Sequence, residues 1–135
     1  MTITTLELKL ISPEHTAFSR EVGMVILPGA EGQFGVLPQH MNLIAEIVPG
    51  KVAVHDGGAV QYFYVSSGVA HITSTKCSVL VLDVIDTAGA DLGGLTERLD
   101  GIHKLMSSSH SESEKADLQA DADFINIILQ DLKVS

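Results

Sequence analysis

Leu6, Leu8 and Leu10 alternate with Glu7 and Lys9, and a period of two sends apolar side chains to one face of a strand and charged ones to the other. A half-buried strand is expected there. Further strands are predicted at Gly23 to Leu27, Gly32 to Leu37, Asn42 to Ile47, Lys51 to His55, Val60 to Val65, Gly68 to Ile72 and Cys77 to Asp83. They recur at intervals of about 8 to 12 residues, the spacing of a sandwich or barrel. Ser12-Pro13, Pro28-Gly29, Pro38, Pro49-Gly50, Asp56-Gly57-Gly58 and Ser66-Ser67-Gly68 separate them. Asp56-Gly57 is a hairpin signal, because such a turn needs residues that tolerate positive φ. No helix of ordinary length interrupts this half, so neither a βαβ unit nor a parallel sheet is expected.

After Asp86 the period changes. Leu92, Leu95, Leu99, Ile102 and Leu105 are spaced by three and four, which places them on one stripe of a helix. The polar break Ser107-Ser108-Ser109-His110 follows. Ser111 and Glu114 then form a capping-box pattern, the hydroxyl reaching the N3 amide and the carboxylate reaching back. A second helix should begin there, with the stripe Leu118, Ala122, Ile125, Leu129 and Leu132. Gly93, Gly94 and Gly101 lie inside the first helix, each costing close to ~1 kcal/mol relative to Ala. Such a pair is either an element that docks and undocks or a poorly optimised tail. The expected boundaries are a sandwich over 1–86 and a helical hairpin over 87–135.

The chain of 135 residues carries 17 Asp and Glu against 8 Lys and Arg, a formal net charge of −9. Phosphate backbones and anionic lipids are held by Lys and Arg, so this balance disfavours nucleic acid and lipid surfaces and favours protein partners. No apolar run reaches the roughly 18 residues needed to span a bilayer, and Met1 leads directly into a strand pattern without the charged and apolar regions of a signal peptide. Direct membrane insertion and secretion are therefore not expected. The single Cys77 sits in an apolar run and reads as a small core residue. His15, His40, His55, His71, His103 and His110 are scattered, with no His-x-His or His-x-x-x-His spacing to hold a metal on one face. No phosphate loop, dinucleotide fingerprint or Cys-x-x-Cys pair is present. A catalytic role for this chain alone is not expected.

One stretch stands out, from Val25 to His40, with Gly29, Gly32 and Gly35 between Pro28 and Pro38. The glycines offer positive φ and the prolines remove ladder donors. By itself this is either an ordinary sandwich corner or a protein-contact loop. Pro28, Gly29, Glu31, Gly32, Gly35, Pro38 and His40, followed by Leu43, Pro49 and Gly50, resemble the pattern of the epsilon subunit of bacterial and plastid F-type ATP synthases. Val65-Ser66-Ser67-Gly68 is similar to that family's Ser-Gly-Gly segment, Val79 to Asp83 to its closing strand, and Ser107 to His110 to its interhelical loop.

The resemblance implies an all-β sandwich of about ten strands followed by a C-terminal antiparallel α-helical hairpin. It implies a non-catalytic rotor subunit without cofactor, peripheral on the cytoplasmic face of the bacterial inner membrane. Its partners would be the gamma subunit and the c-ring, with transient contact of the hairpin to the catalytic alpha and beta subunits. By matching position, Glu31, Gly29, Gly32 and His40 would lie at the c-ring; residues for gamma remain unassigned. The family's ATP-binding members carry an Asp-x-x-Arg-Ala-type stretch in the first helix and basic residues in the second. Here the first helix reads Asp91-Leu92-Gly93-Gly94-Leu95, followed by Arg98 and Lys104, and the second has Lys115 and Lys133. Neither nucleotide binding nor strong inhibition of hydrolysis is expected. Two other classes compete on the residues alone: a stand-alone β-sandwich binding module and a cupin-like enzyme, the latter disfavoured by the missing His-x-His.

Overall fold

The structure, a computed structural model, describes residues 5–39, 42–87 and 92–134. It divides into two units, residues 1–87 and residues 88–135.

The first unit holds ten strands: β1 (Leu6–Ile11), β2 (Thr16–Val22), β3 (Met24–Gly29), β4 (Gly32–Val36), β5 (Leu43–Ile47), β6 (Gly50–Asp56), β7 (Ala59–Val65), β8 (Gly68–Ile72), β9 (Lys76–Val81) and β10 (Val84–Asp86). Hydrogen bonding orders them β10-β7-β6-β3-β5-β8-β9-β1-β2, with β4 attached to β3. The alternation seen in the sequence is realised as burial. Leu6, Leu8 and Leu10 are at most 1% exposed, and they join Val25, Leu27, Val52, Val54, Phe63, Ile72, Cys77 and Val79 in one core. A β-sandwich results, because the sheet turns its apolar face onto itself.

Three features depart from the sequence reading. β1 pairs with β9 in parallel, Leu8 opposite Cys77 and Leu10 opposite Val79. The crossover that parallel strands require is supplied by the whole intervening chain rather than by a helix. β2 was not expected as a strand, since its outward residues Ser19, Arg20 and Glu21 are polar and show no alternation. It is held by pairing along β1 and by Phe18, whose ring meets Phe63 edge-on at 5.2 Å. Arg20 covers Phe18 at 5.2 Å and reaches Asp56 of β6 at 3.9 Å, so β2 comes against β6. β10 is three residues long and only half buried, too short to leave a period.

The Asp56–Ala59 pair closes on Gly57 and Gly58 with φ of 59° and 89°, as the Asp-Gly signal required.

The second unit has α1 (Leu92–Ser108) and α2 (Glu112–Val134), packed on each other across Ser109–Ser111. α1 runs unbroken through Gly93, Gly94 and Gly101. Its buried side chains are Leu95 and Ile102, while Leu92 and Leu105 are 45% and 55% exposed, so the predicted stripe is buried only in its middle. α2 buries a different set from its predicted stripe: Phe124 and Ile128 join Ala122, Ile125 and Leu129, while Leu118 and Leu132 are only half buried. Half of the capping box forms. The Glu114 N–H donates to the Ser111 hydroxyl at 3.2 Å, but the Ser111 N–H goes to the Ser109 hydroxyl at 3.3 Å instead of to Glu114. The nearer Ser109 side chain takes the place that the carboxylate would have filled.

Candidate functional site

β3 and β4 form a hairpin whose tip is Ala30-Glu31. Two hydrogen bonds tie it to β5: Ala30 N–H to the Glu46 carbonyl at 3.1 Å and Val48 N–H to the Pro28 carbonyl at 3.0 Å. Gly32 has φ of 119° and turns the chain into β4. Gly29 is needed for a different reason. It has no positive φ, but a Cβ there would lie 2.7 Å from the Phe34 ring and 2.9 Å from the Gly32 carbonyl oxygen. Gly35 needs neither, since its Cβ would meet only the Met24 sulfur at 3.8 Å. Two of the three glycines thus hold a rigid tip that presents Glu31 to solvent.

Of the residues read from sequence as c-ring contacts, Glu31 and Gly32 are exposed at this tip and Gly29 is buried beneath it. His40 lies outside the described residues. The tip also borders a groove of about 580 Å³, lined by Glu31, Phe34, Leu43, Ile44 and Glu46 among others. Its lining brings together two carboxylates, Glu31 from the turn and Glu46 from β5, and no cation.

The sequence reading missed an apolar outer face. Ile44 on β5 is 71% exposed, Val69 on β8 39%, Leu80 on β9 45% and Leu82 just beyond β9 69%. Val69 is paired with Leu80, and Leu80 with Ile11 of β1, so three apolar side chains form one row across three strands. At the end of that row a second cavity of about 470 Å³ is lined by Ile11, Pro13, Leu80, Leu82 and the Ser67-Gly68 turn. The signal was present. Leu43-Ile44 and Val79-Leu80-Val81-Leu82 are unbroken apolar runs, and a strand with one wet face should alternate. On β5 the row ends at Glu46, opposite Val69, and Ile44 stands opposite His71, diagonal to Val69, so the outward-facing apolar row itself spans β1, β9 and β8. An exposed apolar patch on a sheet marks an interaction surface.

Among the described residues no cluster of His, Cys, Asp or Glu could hold a metal, and no helix is long and apolar enough to cross a membrane. Cys77 is fully buried, and burial pushes its thiol from 9.0 up to about 12, leaving it protonated and unreactive.

A β-sandwich of ten strands followed by two packed helices defines the class of protein. Residues 5–87 match the family model for the ATP synthase delta/epsilon chain β-sandwich domain. The chain belongs to that family and is a subunit of an ATP synthase. The ATP synthase epsilon chain of Rhodospirillum rubrum is 36% identical over 114 residues, covering 84% of this chain and 85% of its own. That of Rhodopseudomonas palustris strain BisB5 is 47% identical over 90 residues, covering 67% and 65%. Among solved structures, a chain of the Euglena gracilis mitochondrial ATP synthase (OSCP/F1/c-ring, rotational state 1) superposes with a TM-score of 0.73 at 19% identity, covering 96% of this chain and 82% of that one. A chain of the Tetrahymena thermophila mitochondrial ATP synthase central stalk and c-ring gives 0.55 at 11% identity, covering 93% and 94%. At those identities the two structures attest the fold alone. Family membership sets aside the stand-alone module and the cupin-like enzyme.

Proposed function

We propose that this chain is the non-catalytic coupling subunit of the central-stalk rotor, at the cytoplasmic face of a bacterial inner membrane. Its sandwich joins the gamma subunit to the c-ring, so that rotation driven by proton flow reaches the catalytic subunits. The observation that carries the reading is the outward-facing apolar row of Ile11, Leu80 and Val69 across β1, β9 and β8, with Leu82 beyond β9 and Ile44 diagonal to it on β5. A monomeric domain has no use for Ile44, Val69, Leu80 and Leu82 in water, whereas a stalk that turns as one body needs a large apolar contact between its parts. Gamma is assigned to this face.

The c-ring contact is assigned to the tip, where Glu31 and Gly32 stand out on the support of Gly29, with His40 following in the chain. An exposed carboxylate on a rigid turn suits the polar loops of a membrane ring, which would have to bring the opposite charge. The helical hairpin adds at most a weak brake on hydrolysis. From Thr87 onward nine Asp or Glu stand against four Lys or Arg, so the hairpin would be repelled by any acidic segment of the catalytic subunits on which it docked.

The test uses the whole chain as bait on solubilised membranes. Wild type should bring down gamma and the c-ring. Ile44→Asp with Leu80→Asp should lose gamma while keeping the sandwich folded, since both side chains point to solvent. Retention of gamma by the double variant would remove this face from the assignment, and a wild-type chain that recovers no gamma would overturn the rotor reading.

A further inference from the structure

The chain contains two Asp-Gly pairs, Asp56-Gly57 and Asp100-Gly101. A glycine after aspartate leaves the following peptide nitrogen uncrowded, so that nitrogen can attack the aspartyl Cγ and close a five-membered ring. The two pairs share this local chemistry but not their surroundings.

Asp56 ends β6 and is paired with Ala59, which begins β7. In a hairpin of this length the ladder bonds join those two residues, so the Gly57 N–H stands outside the ladder. Gly57 and Gly58 have φ of 59° and 89°, and a Cβ added at either would meet nothing within 4 Å. The turn also overhangs the sheet, because pairing of β6 with β3 stops at His55, whose carbonyl accepts from the Gly23 N–H at 3.0 Å. The Asp56 carboxylate faces Arg20 Nε at 3.9 Å, between side chains 44% and 58% exposed. An ion pair that long and that open to water restrains the carboxylate weakly.

Asp100-Gly101 is as uncrowded, since a Cβ at Gly101 would also meet nothing within 4 Å beyond its own helix. It lies inside α1, however, where each N–H donates to the carbonyl four residues back, here that of Glu97. The nitrogen that would attack is held in the helix ladder, and turning that peptide to close a ring would break the bond. Space is equal at the two sites, and only the engagement of the amide differs.

We propose that Asp56 is a site of spontaneous isomerisation to isoaspartate, selected over Asp100 by the free amide of its turn. The Gly57 nitrogen attacks Cγ of the protonated Asp56 carboxyl; a C–N bond forms, and the amide proton and the carboxyl hydroxyl leave as one water. The succinimide so formed takes up one water. Addition at the Asp56 main-chain carbonyl breaks the original peptide bond and leaves the chain running through Cβ and Cγ, with a free carboxylate on Cα. Addition at Cγ restores aspartate. Mass is unchanged, and nothing is oxidised or reduced. The isomerised backbone is one carbon longer at the turn, so Asp56 and Ala59 lose their register, and the carboxylate is withdrawn from Arg20. β2 thereby loses its ion pair to β6.

Peptide mapping by mass spectrometry of the full-length chain, kept folded at neutral pH for weeks, reads both sites at once. The Asp56 peptide should gain a second form of the same mass and different retention, several-fold faster than the Asp100 peptide. In denaturing urea both amides are free, and the two rates should converge. Asp56→Glu keeps the charge facing Arg20 but can close only a slower six-membered ring, and it should yield no second form. An Asp56 peptide that isomerises in urea but not in the folded chain overturns the proposal. So does an Asp100 peptide that isomerises as fast as the Asp56 peptide in the folded chain, or a difference between the two that persists unchanged in urea.

Discussion

In the sandwich, every strand from β1 to β9 sends at least one side chain into a single buried cluster, whereas α1, 17 residues long, buries only Leu95 and Ile102. The sandwich is cross-linked between residues far apart in sequence, so no strand can leave without opening the core. The hairpin has a local fold, with three glycines in α1 and a cap shared between Ser109 and Ser111. Stability is thus distributed unequally along one chain. The part proposed to transmit torque is the part held by long-range burial, and the acidic helical part buries two side chains of α1 and five of α2.

The largest expected effect lies in that core. Leu8→Ala, at a position with no exposure, should cost about 2–5 kcal/mol in urea unfolding through the cavity it leaves. Leu105→Ala, at a side chain more than half exposed, should cost under about 0.5 kcal/mol. Similar values for the two would erase the contrast.

Cys77 sharpens it through pH. Its thiol is pushed up to about 12 in the folded chain against 9.0 for the free group. Below pH 9 both states hold the proton and the thiol makes no difference to stability. As pH rises from 9 towards 12 the unfolded chain gives up the proton and the folded one does not, so stability is lost by up to about 1.4 kcal/mol per pH unit. Cys77→Ala should lack this part of the alkaline slope. An identical slope in the variant would show that the thiol is not held in the core as described.

The smallest effect belongs to the hairpin. A Cβ added at Gly101 would meet nothing within 4 Å beyond its own helix, so Gly101→Ala should stabilise α1 by about 0.5–1 kcal/mol. Slower amide exchange confined to the hairpin is the expected readout. Unchanged exchange there would show that glycine does not limit this helix.

What could be read from the sequence follows the same division. Strands with one buried face announced themselves by alternation, as did Leu6, Leu8 and Leu10, and the Asp56-Gly57 turn needed only local chemistry. β2 was invisible because its contacts, Phe18 on Phe63 and Arg20 to Asp56, are with residues distant in sequence. The parallel pairing of β1 with β9 was invisible for the same reason. At the proposed site, the tip was marked by its glycines, although only Gly32 uses the positive φ that suggested them; Gly29 serves the Phe34 ring. The apolar face was legible in Leu43-Ile44 and Val79 to Leu82, but only as broken alternation, which names a face without naming what covers it.

Cutting the chain after Asp86 separates the two regions in a single experiment. In membranes carrying the complete ATP synthase, this account predicts that the shortened chain still supports proton-driven ATP synthesis close to the full-length level, and that ATP hydrolysis changes little. Loss of synthesis would show that the sandwich does not transmit rotation alone, and a several-fold rise in hydrolysis would show that the acidic hairpin is a strong brake after all.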